Sequence, residues 1–261
     1  MLKKILTAIA CVLLLAGLAL LLFPPISNMI GNNISTGEAD KFDTQIENIA
    51  DGSYDDALSK GKIDKQGYPI DKDGNRTDDV PVLFNVDVKQ LYEDSLEYNE
   101  NLKTNQHSLL ISEYSYEQPS LDLVNYGIYD GIYGYVYAPT INMKLPIYLG
   151  ANDATMSYGA AHLTYTSLPV GGDSCNVAIA GHTGYIGRIF FDNLRNLQIG
   201  DEVDVKNYWT TLKYKVTETK IINENDSQDL FITKGKDRLT LITCISNNSG
   251  GFDRYLVICE R

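Results

Sequence analysis

The chain has 261 residues, 44% of them apolar, which is enough to bury the core of one or two domains. Its formal net charge is −12, from 22 Lys and Arg against 34 Asp and Glu. That balance argues against nucleic acid as a partner, because phosphate binding needs clustered cations, and it disfavours electrostatic docking on anionic lipid.

The chain opens MLKKILTAIACVLLLAGLALLLFPP, with Lys3 and Lys4, an uncharged run from Ile5 to Phe23, and then Pro24 and Pro25. As a helix rising about 1.5 Å per residue, that run nearly crosses a hydrocarbon core of about 30 Å. No clear A-x-A cleavage site follows Phe23, so the segment reads as an uncleaved anchor rather than a signal peptide. Lys3 and Lys4 hold the N-terminus in the cytoplasm, which puts the rest of the chain outside a cell membrane crossed once. Residues 1–25 are therefore expected to be a cytoplasmic tip and transmembrane anchor, with no second apolar span further on.

Residues 26–130 read as an extracellular N-terminal extension of helix and loop. EADKFDTQIENIADGSYDDAL carries weak helical signals, and 61–80 is a Gly-, Asp- and Lys-rich loop or hairpin insertion. In DKDGN the residues Asp71, Asp73 and Asn75 alternate as in a calcium loop. Glycine at position six and glutamate at position twelve are both missing, so no calcium site is expected. NVDVKQLYEDSLEYNENLKTN has the composition of a helix but uneven apolar spacing, and His107 just beyond it is expected to face solvent.

From Ile132 the texture changes. IYGYVYAP, MKLPIYLG, NVAIAGH, DEVDVKNYW, TLKYKVTETKII, RLTLITC and RYLVICE are short β-branched or aromatic runs punctuated by Gly, Pro, Asn and Asp. They predict a mainly β domain over 131–261, either a closed barrel or a sandwich. The best helical pattern within it is GRIFFDNLRNLQIG.

Of the four cysteines, Cys11 lies in the anchor, leaving Cys175, Cys244 and Cys259 outside it. An odd number without metal-type spacing calls for no metal, and no motif calls for a cofactor. Cys244 ends the strand TLITC on the face shared with Thr240 and Ile242, so its thiol can lie at a rim. The small polar loop Ser246–Gly251 after it leaves room for an extended ligand and offers backbone N–H groups to an anion. A thiol needs a nearby base or cation to become a nucleophile, and His182, at the end of NVAIAGH, can take its proton and later protonate a leaving amine. Arg254 opens the strand opposite Cys244. A guanidinium stays protonated, so it can bind a developing oxyanion or hold a substrate carbonyl. His162, Cys175 and Cys259 are read as buried structural residues, with a Cys175–Cys259 bridge the lesser alternative.

This order of His, Cys and Arg behind an N-terminal anchor resembles the sortases, the Gram-positive cysteine transpeptidases. The resemblance covers about Ile132 to Arg261. It rests on TLITC (Thr240–Cys244), AIAGHTG, RYLV, LPIYLG (Leu145–Gly150) and AHLTYTSLPVGG (Ala161–Gly172), the last of these closest to the pilus-type class C group. It implies a closed eight-stranded β-barrel with a few short helices. It also implies cleavage of an LPxTG-like sorting signal between Thr and Gly through a thioacyl enzyme, resolved by an amine from a pilin lysine or a cell-wall precursor. Cys244 would be the nucleophile, His182 the proton donor and acceptor, and Arg254 the stabiliser of the oxyanion or substrate, with Thr243 helping to order the site.

The partners implied are surface proteins or pilins bearing such a signal. Class C sortases carry a lid with an Asp-Pro-aromatic motif. SEYSYEQPSLDLVNYG (Ser112–Gly127) has aromatics but no such motif, which leaves Tyr114 and Tyr116 as candidate plugs. The C-terminal span of many class C enzymes is also missing, which puts pilus polymerisation in question. Two other functions compete: a cysteine peptidase that only hydrolyses, and an anchored β-barrel binding module in which Cys244 is a core residue.

Overall fold

A computed structural model describes residues 2–79, 81–109 and 116–261. The first element is one long helix, α1, Leu2–Ala50, which continues through Pro24 and Pro25. Each proline removes a helical N–H donor, so propensity alone ends the helix there. Packing carries it on: Ser35, Ala39 and Phe42 are buried against the rest of the chain, and Phe42 meets Tyr208 edge-on at 4.8 Å. Lys144 and Lys206, from two barrel strands, reach Asp43 at 3.0 and 2.5 Å, and Lys144 also reaches Asp40 at 2.7 Å. Burial works against the charge of Asp43, but the two lysines outweigh it and lower its pKa. Upstream of Phe23 the described residues of the apolar run have no protein cover.

After a short α2, Ser53–Ser59, residues 61–79 fold on themselves through bridges Ile63–Pro69 and Ile70–Arg76. Asp71 spends one carboxylate oxygen on the N–H groups of Asp73 and Asn75, both at 2.9 Å, which makes it a turn residue. Next comes α3, Val88–Leu109, whose buried face includes Ser95, Asn99 and Gln106. Asn99 pairs with both backbone groups of Leu168, at 2.9 and 2.8 Å. Gln106 donates to the carbonyls of Tyr165 and Leu230 and accepts from Ile232 N–H. These polar anchors explain why the apolar spacing of this helix looked uneven.

Eight strands follow: β1 Ile132–Ala138, β2 Met143–Leu149, β3 Ala160–His162, β4 Cys175–Ala180, β5 Glu202–Asn207, β6 Thr211–Asn223, β7 Asp237–Ser246 and β8 Phe252–Glu260. They close into a barrel in the order β1-β2-β3-β4-β7-β8-β6-β5, with β2–β3 and β4–β7 parallel and the other pairs antiparallel. The expected closed barrel is thus present, with β3 as the strand that its sequence did not announce. A short helix, α4 Asp153–Tyr158, precedes β3 and is capped reciprocally by Asn152 and Thr155.

Inward-facing residues such as Leu145, Val177, Leu239, Leu241 and Val257 fill the barrel. A second apolar cluster lies between the barrel, α1 and α3, around Phe42, Leu91 and Tyr133. The helix expected over GRIFFDNLRNLQIG is absent; only Leu194–Asn196 makes a single 3₁₀ turn. Asp192 takes the N–H groups of Gly184 and Phe190, and Phe190 and Phe191 plug the barrel end, so side-chain capping and burial fix a loop there instead.

Candidate active site

β4 and β7 run side by side in parallel, with Ala180 beside Ile242. Two hydrogen bonds staple their ends: Gly181 N–H to the Ile242 carbonyl at 3.0 Å, and Thr243 Oγ1 to the Gly181 carbonyl at 2.7 Å. His182 and Cys244 each stand two residues past the Ala180–Ile242 pair, so both leave the same end of this strand pair. β8 runs antiparallel on the other side of β7, with Arg254 directly opposite Cys244. Directly opposed residues share a face, with Cβ atoms about 5 Å apart.

All three side chains line one cleft of about 820 Å³. Its floor is apolar, formed by Leu163, Ala180, Leu230, Ile242 and Leu256, while Glu117, Asp153, Glu224 and Asp226 supply carboxylates at the walls. Cys244, His182 and Arg254 are each half-buried. The His182 ring stacks on Tyr185 with centroids 5.4 Å apart and planes 14° from parallel. Arg254 Nη2 lies 3.8 Å from Glu224 Oε2, a loose ion pair that leaves the guanidinium donors available. A thiol, an imidazole and a guanidinium around one apolar floor can attack a carbonyl, move its protons and bind the oxyanion.

Thr243 lines the same cleft beside Cys244 while staying largely buried, and its hydroxyl ties β4 to β7 through the Gly181 carbonyl. The loop after Cys244 is less open to anions than its composition suggests. Asn247 Oδ1 already accepts the N–H groups of Ser249 and Gly251 at 3.1 and 2.9 Å. Of the two lid candidates, Tyr114 lies outside the described residues. Tyr116 lines the cleft, and its carbonyl accepts from Ala151 N–H at 2.7 Å. The chain after it is pinned by Asn152 Nδ2 on the Glu117 carbonyl at 3.0 Å and by Thr164 Oγ1 on the Gln118 carbonyl.

The remaining histidines and thiols lie elsewhere. His162 is buried with both ring nitrogens hydrogen-bonded, and His107 stays exposed but lays its ring on Phe231 at 4.1 Å. Cys175 and Cys259 are buried and unbridged. Burial pushes the Cys175 thiol up, and the neighbouring Asp237 adds to it; burial alone pushes Cys259 up to about 12. Both are inert at neutral pH. Sequence reasoning missed Tyr185 and Glu224, which sit in loops without periodicity. Their only local signal is proximity in the chain to His182 and to the end of β6.

A closed barrel with Cys and Arg paired across its last two strands, and His at the end of the strand beside them, defines the sortase class. The family model of the sortase domain matches residues 136–261. Sortase C2 of pilus island 1 from group B Streptococcus is 31% identical, with a TM-score of 0.58 over 67% of this chain and 96% of that one. Sortase C-1 of Streptococcus pneumoniae is 28% identical, with a TM-score of 0.55 over 68% and 92%. Sortase A of Listeria monocytogenes is 31% identical over 115 residues, 44% of this chain and 50% of its own length. The chain belongs to the sortase family, and class C pilus sortases are among its structural neighbours. It spans between 47% and 63% of the lengths of the curated relatives it matches.

Proposed function

We propose that the protein is a membrane-anchored cysteine transpeptidase acting on surface proteins or pilins with an LPxTG-like sorting signal. Cys244 is the nucleophile, His182 the acid and base, and Arg254 the oxyanion clamp. The Cys244 thiolate attacks the threonine carbonyl carbon, and Arg254 binds the oxygen as it becomes negative. Collapse of the tetrahedral adduct breaks the Thr–Gly bond, and the His182 imidazolium protonates the leaving amine. An incoming amine then attacks the thioester, gives its proton to His182, and leaves as a new amide while the thiolate is restored. Residues 1–25 anchor the chain with its N-terminus inside, 26–130 form the extension and 131–261 the catalytic barrel outside. The lid candidate is the stretch Ser112–Gly127, supported by Tyr116, which lines the cleft.

The observation that carries this reading is the cross-strand pairing of Cys244 with Arg254 in a cleft that His182 also lines. The test is incubation of the full chain with an LPxTG-type peptide and a primary amine. A new amide supports transpeptidation, free acid alone would mean a hydrolase, and an intact peptide would mean a binding module. The pilin-lysine and wall-precursor acceptors are separated by supplying each in turn.

A further inference from the structure

The loop from β4 to β5 begins with His182 and passes through Tyr185, whose ring lies against the imidazole. Tyr185 leans in turn on buried Phe190 at 5.5 Å. The inner side of the loop closes on itself. Phe191 N–H donates to the His182 carbonyl at 2.9 Å, and Asp192 accepts from Gly184 N–H at 2.8 Å and from Phe190 N–H at 3.0 Å.

The outer side is held by α1, more than 150 residues away in sequence. Gly187 N–H donates to Asn28 Oδ1 at 3.1 Å. One turn further along α1, Gly31 meets the Gly187 carbonyl so closely that a Cβ there would overlap the oxygen and press on the Arg188 side chain. Gly187 has a φ of +86°, and a Cβ on it would crowd Ser27 Oγ at 2.9 Å. Two glycines therefore permit a backbone contact that any larger pair would block. Ser27, Asn28 and Gly31 lie about 6 to 12 Å along the helix axis past Phe23, where the apolar run ends.

We infer that this seat on α1 is a positioning device for the imidazole. The membrane-proximal turn of α1 holds the 184–188 segment, that segment holds Tyr185 against His182, and Tyr185 is a positioning residue that fixes the ring plane. The inference rests on the reading of His182 as acid and base. A general acid–base ring must stay within hydrogen-bond reach of both the thiol and the leaving amine. The His182 backbone is fixed by Gly181 packed on Phe191 and by Phe191 N–H on its carbonyl, while its half-buried ring lies against Tyr185. The ring face of Tyr185, rather than its hydroxyl, does the holding, and the anchor helix sets where that face lies.

The experiment measures turnover of an LPxTG-type peptide with a primary amine by the full chain in phospholipid nanodiscs. Tyr185→Ala is expected to lower kcat about tenfold with KM little changed, since small misplacements of a reacting group cost that much or more. Tyr185→Phe keeps the ring face and restores wild-type kcat. Gly31→Leu pushes the loop from α1 and lowers kcat about tenfold, and Asn28→Ala lowers it about threefold. If Gly31→Leu does not fold, Asn28→Ala carries that arm. Wild-type kcat in Tyr185→Ala overturns the inference, as does wild-type kcat in both α1 variants, or a Tyr185→Phe protein as impaired as Tyr185→Ala. Full activity in His182→Ala is a different result, one that defeats the catalytic reading itself.

Discussion

Replacing His162 by Gln removes a fully buried group whose titration should destabilise this barrel in mild acid. His162 ends β3 and is fully buried, with Nε2 at 3.0 Å from the Ser167 carbonyl and Nδ1 at 3.1 Å from Ser120 Oγ. Those partners fit a neutral ring that donates from Nε2 and accepts at Nδ1. Burial pushes its pKa down from 6.5 to about 4, against hydrogen bonding to the backbone of Ser167 and Thr166, which favours the charged form. The unfolded chain therefore binds this proton first as the pH falls. The contribution is complete above pH 6.5 and is lost progressively as the pH drops through about 4. At about 1.4 kcal/mol per pH unit, the loss reaches about 2 kcal/mol at pH 5 and about 3 kcal/mol below pH 4. Urea unfolding followed by the fluorescence of Trp209, the single tryptophan, measures it between pH 7.5 and 4.5. Wild type should lose about 2 kcal/mol more than His162→Gln between pH 7.5 and 5. Parallel stability curves for the two proteins would refute the reasoning.

Asp43→Asn should loosen α1 from the barrel by about 1–2 kcal/mol by removing the charge that faces Lys144 and Lys206 and one of the two oxygens they bond, which hydrogen exchange over residues 35–50 would register as faster opening. Unchanged exchange there would mean the Lys144 and Lys206 contacts contribute nothing. Thr243→Val keeps the shape but removes the bond to the Gly181 carbonyl, so it should cost about 1–3 kcal/mol in urea unfolding and lower kcat. A neutral result on both would place the β4–β7 staple elsewhere. Arg254→Lys should lose most peptide turnover, because a point charge cannot reproduce the planar fork that faces the cleft. Near-wild-type turnover would remove Arg254 from the mechanism.

Much of this site could be read from the chain because its three groups sit at the ends of strands with clear β-branched texture. TLITC, AIAGH and RYLV announce both the strand and the side chain at its end, and the register then sets Arg254 opposite Cys244. What the chain concealed lies where periodicity is lost. β3 has only three residues, Ala160–His162, all buried, too short for an alternating signal. The helix after the prolines was hidden because α1 is held by Phe42, Asp40 and Asp43 against distant strands, and α3 by amide side chains on backbone groups. GRIFFDNLRNLQIG looked helical because its apolar residues recur at helical spacing. Asp192 captures backbone donors there, and two phenylalanines enter the barrel end, which wins over propensity. Tyr185 and Glu224 carry no pattern of their own, and only the closed barrel brings them beside His182 and Arg254.

The most direct test of the central claim is the intact mass of the full chain after brief mixing with an LPxTG-type peptide and no amine, followed by digestion to locate any adduct. The account predicts a thioester-linked acyl fragment ending in threonine on Cys244, absent from Cys244→Ala, which also yields no cleaved peptide. Peptide cleavage by Cys244→Ala at the wild-type rate, or an adduct on a different cysteine, would contradict it.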